Sequence, residues 1–163
     1  MADELVLYTN PMSRGRIARW MLEEVSQPYK VEVLDYASTM KAPAYLAINP
    51  MGKVPALRHG DAVVTETAAI CAYLADAFPQ AKLAPPPGDK LRAPYYRWMF
   101  FAAGPVEAAT SNKALNFVVP PGRERMPDGC SAAASIAQKQ GVSPWFQTSG
   151  RNRSPIRHKH PRR

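Results

Sequence analysis

The sequence predicts an α/β domain with a four-stranded mixed sheet and three helices, followed by an incomplete all-α unit and a disordered basic tail. Three observations predict it. Over residues 4–80 the apolar pattern switches between strand-like and helix-like periods, in the order strand, helix, strand, irregular helix, hairpin, helix. Over residues 90–119 only the helical period recurs. From Pro120 onward no sustained stripe is present, and Ser, Gly, Pro and Arg dominate.

Residues 4–8, ELVLY, form the first strand. Leu5 and Leu7 alternate with Val6 and Tyr8, and a strand apolar on both faces suits the interior of a covered sheet. The loop TNPMSRG follows, with Ser13 placed to cap a helix that begins near Arg14. In that helix Ile17, Ala18, Met21, Leu22 and Val25 make one stripe, and SQP ends it. YKVEVLDY is the second strand, with Val31 and Val33 on one face. STMKAPAYLAIN holds a short irregular helix, with Pro43 near its start.

The chain is organised around Asn49–Thr67, NPMGKVPALRHGDAVVTET. Pro55 stands at the first residue of a strand, where a missing N–H is tolerated. Gly60-Asp61 turns the chain and AVVT supplies the partner strand. Glu66 and Thr67 stand at the mouth of a helix running to about Phe78, where free backbone N–H groups favour an anion. Its stripe is Ala69, Ile70, Tyr73, Leu74 and Ala77. Exposed backbone beside a proline and an anion site at a helix start together suit an extended peptide with a carboxylate at one end. Strand–helix–strand, irregular helix, hairpin and helix is the order of the thioredoxin-like fold. Its first two strands pair through a helical crossover and its last two are antiparallel.

NPMGKVPAL followed by ETAAICAYLAD resembles the glutathione-binding half of soluble glutathione transferases. LVLYTNPMSRGRIARWMLEE is similar to the first strand, catalytic loop and first helix of bacterial members of that superfamily, and the likeness covers about residues 4–118. The resemblance implies a glutathione-binding domain over 1–80, a proline-stiffened linker over 81–89 and the first helix of an α-helical domain over 90–119. In that helix Trp98, Phe101, Ala102 and Val106 lie at helical intervals, and Gly104-Pro105 is expected to kink it. The activity implied is transfer of glutathione's sulfur to an electrophilic small molecule. Glutathione is then a co-substrate, and neither a permanent cofactor nor a metal is called for.

Glutathione is a tripeptide thiol whose pKa lies near that of free cysteine, about 8.5, so an enzyme must favour the thiolate. A hydroxyl that donates a hydrogen bond to sulfur stabilises the charged form, and a nearby helix N-terminus adds to this. Ser13 is placed for both, and the resemblance implies the same loop. Tyr8 is the rival hydroxyl, and Asn10 is a further donor. The loop has no cysteine, which argues against a disulfide reductase. By resemblance, the Val54 backbone pairs with the cysteinyl unit, and Pro55, after a cis bond, exposes that backbone. Glu66 and Thr67 hold the γ-glutamyl end, while Lys53 and Lys41 meet the glycyl carboxylate. Met12, Tyr95 and Met99 are candidates for the second-substrate pocket, and Trp98 reads as core.

The net charge of +8 belongs to one end of the chain. Residues 1–119 carry 12 Lys+Arg against 11 Asp+Glu, whereas residues 120–163 carry 9 against 2. The basic segment 120–163 is expected to be disordered, the product of a truncation or reading-frame shift of a longer transferase gene. Its alternative is a real tail that touches nucleic acid or anionic lipid. Trp145 and Phe146 are adjacent rather than interleaved with the arginines, which weighs against nucleic acid. No apolar run approaches the roughly 20 residues of a membrane span, and MADELVLY lacks the pattern of a signal peptide, so a cytoplasmic setting is expected. Cys71 reads as a buried thiol, with Cys130 far from it in sequence. A homodimer is the assembly that the resemblance suggests.

Overall fold

The computed structural model describes residues 3–116. Four strands, β1 Leu5–Thr9, β2 Lys30–Val33, β3 Ala56–His59 and β4 Ala62–Thr65, form one sheet in the order β2-β1-β3-β4. β1 and β2 are parallel, in a register that runs from Val6 opposite Lys30 to Thr9 opposite Val33. Helix α1, Gly15–Val25, makes the crossover between them. β3 is antiparallel to β1, with Leu7 opposite Leu57, and antiparallel to β4, with Ala56 opposite Thr65. This is the thioredoxin-like order expected from the sequence.

The interior position of β1 explains its composition. Leu5, Val6 and Leu7 are all buried because both faces of the strand are covered. On one face Leu5, Leu7 and Leu57 pack against Ala18, Leu22 and Val25 of α1 and against Ile70 and Leu74 of α3, Thr67–Ala77. Leu7, Leu22, Leu57, Ile70 and Leu74 are fully buried, and each contributes roughly 1.5–3 kcal/mol through burial. On the other face Met40, Tyr45 and Ala56 form a smaller cluster with Tyr8, Leu34, Ile48 and Val54. A 3₁₀ turn, Thr39–Lys41, and the short helix α2, Pro43–Leu46, supply this layer. Pro43 is the first residue of α2, where its missing N–H costs nothing.

Val31 and Val33 share one side of β2, as expected, although Val33 is 58% exposed at the end of this edge strand. Two expectations need correction. Ile17 is 42% exposed, so the buried stripe of α1 starts at Ala18. On α3 the buried small residue is Ala75, while Ala69 and Ala77 face solvent. The apolar period located each helix correctly but could not decide which side of a broad stripe meets the sheet.

The chain divides into two units, Met1–Ala103 and Gly104–Arg163. The first includes the linker and α4, Arg92–Phe101. Arg92 is buried. Its Nε donates to the Pro85 carbonyl at 2.6 Å, its terminal nitrogens pair with the Asp76 carboxylate, and one of them reaches the Tyr96 hydroxyl at 3.1 Å. The guanidinium therefore joins α3, the linker and α4, and the Asp76 pairing holds its pKa above the ordinary arginine value. A π-helical turn, Ala102–Val106, contains Gly104-Pro105. The expected irregularity is there, since Pro105 has no N–H for a regular helical bond. In the second unit α5, Glu107–Ala114, is described. The expectations for 120–163 and Cys130 lie outside the described residues. Among the described residues no helix is long and apolar enough to cross a membrane.

Candidate functional site

Two loops build the site. The first follows β1. Asn10 is buried, and its side chain spans the loop. Nδ2 donates to the Leu34 carbonyl at 2.8 Å, and Oδ1 accepts from the Met12 N–H at 2.9 Å. The Asn10 carbonyl accepts from the Ser13 N–H at 2.9 Å and from the Ser13 hydroxyl at 2.7 Å. Ser13 Oγ in turn accepts from the Gly15 N–H at 3.0 Å. Ser13 thus stands one residue before the helix cap, which is Arg14, and still satisfies one free N–H of α1. Asn10, offered as a sulfur donor, instead fixes the loop. Gly15 has to be glycine, because a Cβ there would lie 1.9 Å from Thr9 Oγ1. With no acidic residue in the first turn of α1, the positive helix end beside Ser13 is not neutralised by the helix itself.

The second loop precedes β3. Asn49 is buried, and its Nδ2 donates to the Lys53 carbonyl at 2.8 Å. The Tyr45 hydroxyl donates to the same carbonyl. Burial pushes the Tyr45 phenol pKa up, which keeps it a donor. The Gly52 N–H donates to the Asn49 carbonyl at 2.8 Å, and Lys41 Nζ donates to the Gly52 carbonyl at 2.7 Å. Gly52 has φ +57°, a backbone conformation that favours glycine, and a Cβ there would crowd the Met40 carbonyl at 3.1 Å. The loop is therefore braced from behind. Its front edge is open: among the described residues the Val54 N–H and C=O have no hydrogen-bond partner. The Val54–Pro55 bond is cis, as expected.

The two loops face one cavity of about 370 Å³. Met12, Ser13, Lys41, Lys53 and Val54 all line it, together with Arg14, Tyr36 and Met40. Five residues named from the sequence are thus brought together. Tyr8 is not in the lining; its ring packs on Tyr45 with centroids 5.6 Å apart, and its hydroxyl lies beside Arg58. Glu66 and Thr67 are not in the lining either and stand at the start of α3. Among the described residues the first-turn N–H groups of Thr67 and Ala68 are without partners. Glu66 has φ +68° and ψ 123°, a conformation that side-chain-bearing residues rarely adopt and that concentrates at ligand sites.

Tyr95, Trp98 and Met99 lie half-buried on α4, outside the cavity lining. Arg92 sits 5.4 Å above the Tyr95 ring, and Trp98 meets Phe101 edge-on at 5.6 Å. Cys71 is half-buried, and burial raises its thiol pKa, the environment of an unreactive cysteine. Among the described residues no group of three His, Cys, Asp or Glu is arranged to hold a metal ion. Sequence reasoning missed the bracing roles of Asn49 and Tyr45 and the presence of Arg14 and Tyr36 in the lining. Only the position of Asn49 inside NPMGKVP hinted at any of these.

Residues 12–77 match the family model for the glutathione S-transferase N-terminal domain. A solved glutathione transferase homologue from Sulfitobacter, with bound glutathione, is 30% identical; the match covers 83% of this chain and 69% of that one, with a TM-score of 0.63. The chain belongs to the glutathione S-transferase superfamily. Among other superfamily members, the Methylococcus capsulatus glutathione transferase is 27% identical over 83% of this chain and 68% of that one, with a TM-score of 0.68. Glutathione S-transferase GST-4.5 of Xanthomonas campestris is 37% identical over 95 residues, which are 58% of this chain and 46% of that relative. The chain thus spans about half the length of that curated glutathione S-transferase.

Proposed function

We propose that this chain is a glutathione transferase that conjugates the glutathione thiolate to an electrophilic small molecule, with Ser13 as the catalytic hydroxyl. The observation that carries the reading is a single cavity holding the Ser13 hydroxyl, the unpartnered Val54 backbone and the Lys53 side chain. The cysteinyl unit of glutathione pairs with Val54 as an added strand, ahead of Pro55. Lys53 takes the glycyl carboxylate, and Lys41 supports it by holding the Gly52 carbonyl. The γ-glutamyl carboxylate meets the free N–H groups at Thr67, with Glu66 beside the ammonium.

The Ser13 proton, held by the Asn10 carbonyl in this structure, turns to the sulfur when glutathione is bound. The hydroxyl then stabilises the thiolate, and the open end of α1 reinforces it. Met12, 86% exposed, meets the electrophile. Tyr95 and Met99 are the further candidates that the resemblance carries. A cytoplasmic setting and a homodimer complete the proposal, the latter read by light scattering on the purified chain.

Retention on immobilised glutathione, followed by conjugation of 1-chloro-2,4-dinitrobenzene, tests it. Retention with turnover that Ser13→Ala loses supports the proposal, and absence of retention defeats it. A second reading, a glutathione-binding chain with little activity, is favoured by the 2.7 Å bond that engages the Ser13 proton. Retention without turnover is its signature.

A further inference from the structure

Three cations, Arg14, Lys41 and Lys53, line the Ser13 cavity, and among the described residues no Asp or Glu lines it. Two of them have a task in glutathione binding as proposed above. Lys53 meets the glycyl carboxylate, and Lys41 donates to the Gly52 carbonyl at 2.7 Å. Arg14 has no task there, although it directly follows Ser13 and faces the same cavity. Its place is set by the fold. It is the cap residue of α1, in helical conformation at φ −66°, and Gly15 after it fits closely against Thr9. Two apolar side chains of the lining, Met12 and Tyr36, are 86% and 52% exposed, so neither serves the core.

Bound glutathione does not balance these charges. Its γ-glutamyl carboxylate and ammonium go to Thr67 and Glu66, which stand outside the lining. The glycyl carboxylate and the thiolate remain, two negative charges before three cations. The positive end of α1, with no acid in its first turn, adds to the excess. Resting on the transferase reading above, we propose that the electrophile supplies the missing anion. The second substrate is a small electrophile that carries a carboxylate, and Arg14 selects it. A guanidinium matches a carboxylate through two parallel N–H donors, which orient the electrophile as well as hold it. Met12 and Tyr36 cover its apolar part. Arg14 also offsets the repulsion that a carboxylate meets on approaching a thiolate. An electrophile that bears a positive charge meets the same three cations and is turned away.

The test uses the full chain with 4-fluoro-3-nitrobenzoate, and 4-fluoro-3-nitrobenzamide as the neutral electrophile of nearly the same shape. In both, the thiol proton passes to water and sulfur bonds to the ring carbon that bears fluorine. The C–F bond then breaks, and fluoride leaves with its electron pair. Each rate, read by thioether absorbance, is divided by the spontaneous rate with glutathione, which removes the difference in intrinsic reactivity. The acceleration should be at least about tenfold greater for the benzoate at low ionic strength and should shrink as salt is added. Arg14→Gln should bring the ratio of the two accelerations close to one. Arg14→Lys, which keeps the charge but not the paired donors, should restore part of it. Ser13→Ala should slow both electrophiles alike and keep the ratio. Equal acceleration of the two by the parent chain would overturn the proposal and leave the transferase reading standing. So would an Arg14→Gln chain, folded by circular dichroism, that slows both electrophiles alike, since Arg14 would then serve the thiolate alone. Acceleration of neither, with 1-chloro-2,4-dinitrobenzene also untouched, would defeat the transferase reading and this proposal together.

Discussion

The loops that face each other across the Ser13 cavity are held in opposite ways. The loop over 49–54 is braced entirely from behind, by Asn49, Tyr45 and Lys41, and its front edge at Val54 is left open. The loop over 10–15 is also braced, by Asn10, but there the functional group itself takes part: the Ser13 hydroxyl donates to Asn10 and accepts from Gly15. One loop is ready for a ligand as it stands. The other has to exchange an internal hydrogen bond for one to the ligand. Under the proposed function, binding and activation fall to different loops, and variants can separate them.

The largest separation is expected from Ser13→Ala. A hydrogen bond to a charged group contributes about 1.5–3 kcal/mol, so turnover should fall about 10- to 150-fold. Glutathione affinity, measured calorimetrically, should change by less than about threefold, because the open loop is untouched. Tyr8→Phe should retain most activity; the reverse pattern would move the catalytic hydroxyl to Tyr8. Asn49→Ala attacks the other loop. It removes a buried donor from the Lys53 carbonyl and an acceptor from the Met51 N–H, which should cost about 1–3 kcal/mol in urea unfolding. Its mark on glutathione should be weaker binding with turnover at saturation largely kept.

Smaller effects sharpen the contrast. Glu66→Gly should relieve the strained backbone at φ +68° and, net of glycine's greater unfolded-state freedom, stabilise the fold by about 1 kcal/mol. If Glu66 serves the γ-glutamyl end, the same change should weaken glutathione binding. A gain in thermal midpoint together with a gain in affinity would remove Glu66 from the site. The smallest effect concerns Cys71, studied in a Cys130→Ser chain. Its thiol pKa is raised by burial in the folded state. The unfolded thiol therefore loses its proton first, and stability should decline as pH rises through about 8.5. Iodoacetamide labelling should likewise stay slow at neutral pH. Rapid labelling at pH 7 would show a reactive thiol and overturn the reading of Cys71 as an unreactive, half-buried cysteine.

Most of the sheet was legible because its signals are local. Gly60-Asp61 between two β-branched runs announces a hairpin, and Leu5 to Leu7 with no polar alternation announces a covered strand. The site was legible in part for the same reason, since Pro55 and Ser13 each act where a loop meets a regular element. What stayed hidden depends on distant partners. Arg92 reads as a surface arginine until Asp76 and Pro85 are placed around it. Asn49 and Tyr45 gain a shared role only when both reach the Lys53 carbonyl. Ser13 looked like a helix cap; its Oγ does accept from the Gly15 N–H, but that its own proton returns to the Asn10 carbonyl shows only in the folded loop. Ile17 and Trp20 were indistinguishable in kind from core residues, and only the packed sheet shows that they face outward.

The Arg92 latch also decides where this molecule can be trimmed. Ala81 and Leu83 pack against the main core, and the guanidinium ties the stretch that carries them to Asp76. A chain ended at residue 80, the limit suggested by the fold's last helix, would strip a wall from that core and leave Asp76 alone. An autonomous thioredoxin-like half therefore extends through Phe101, and expression trials should start from that longer piece.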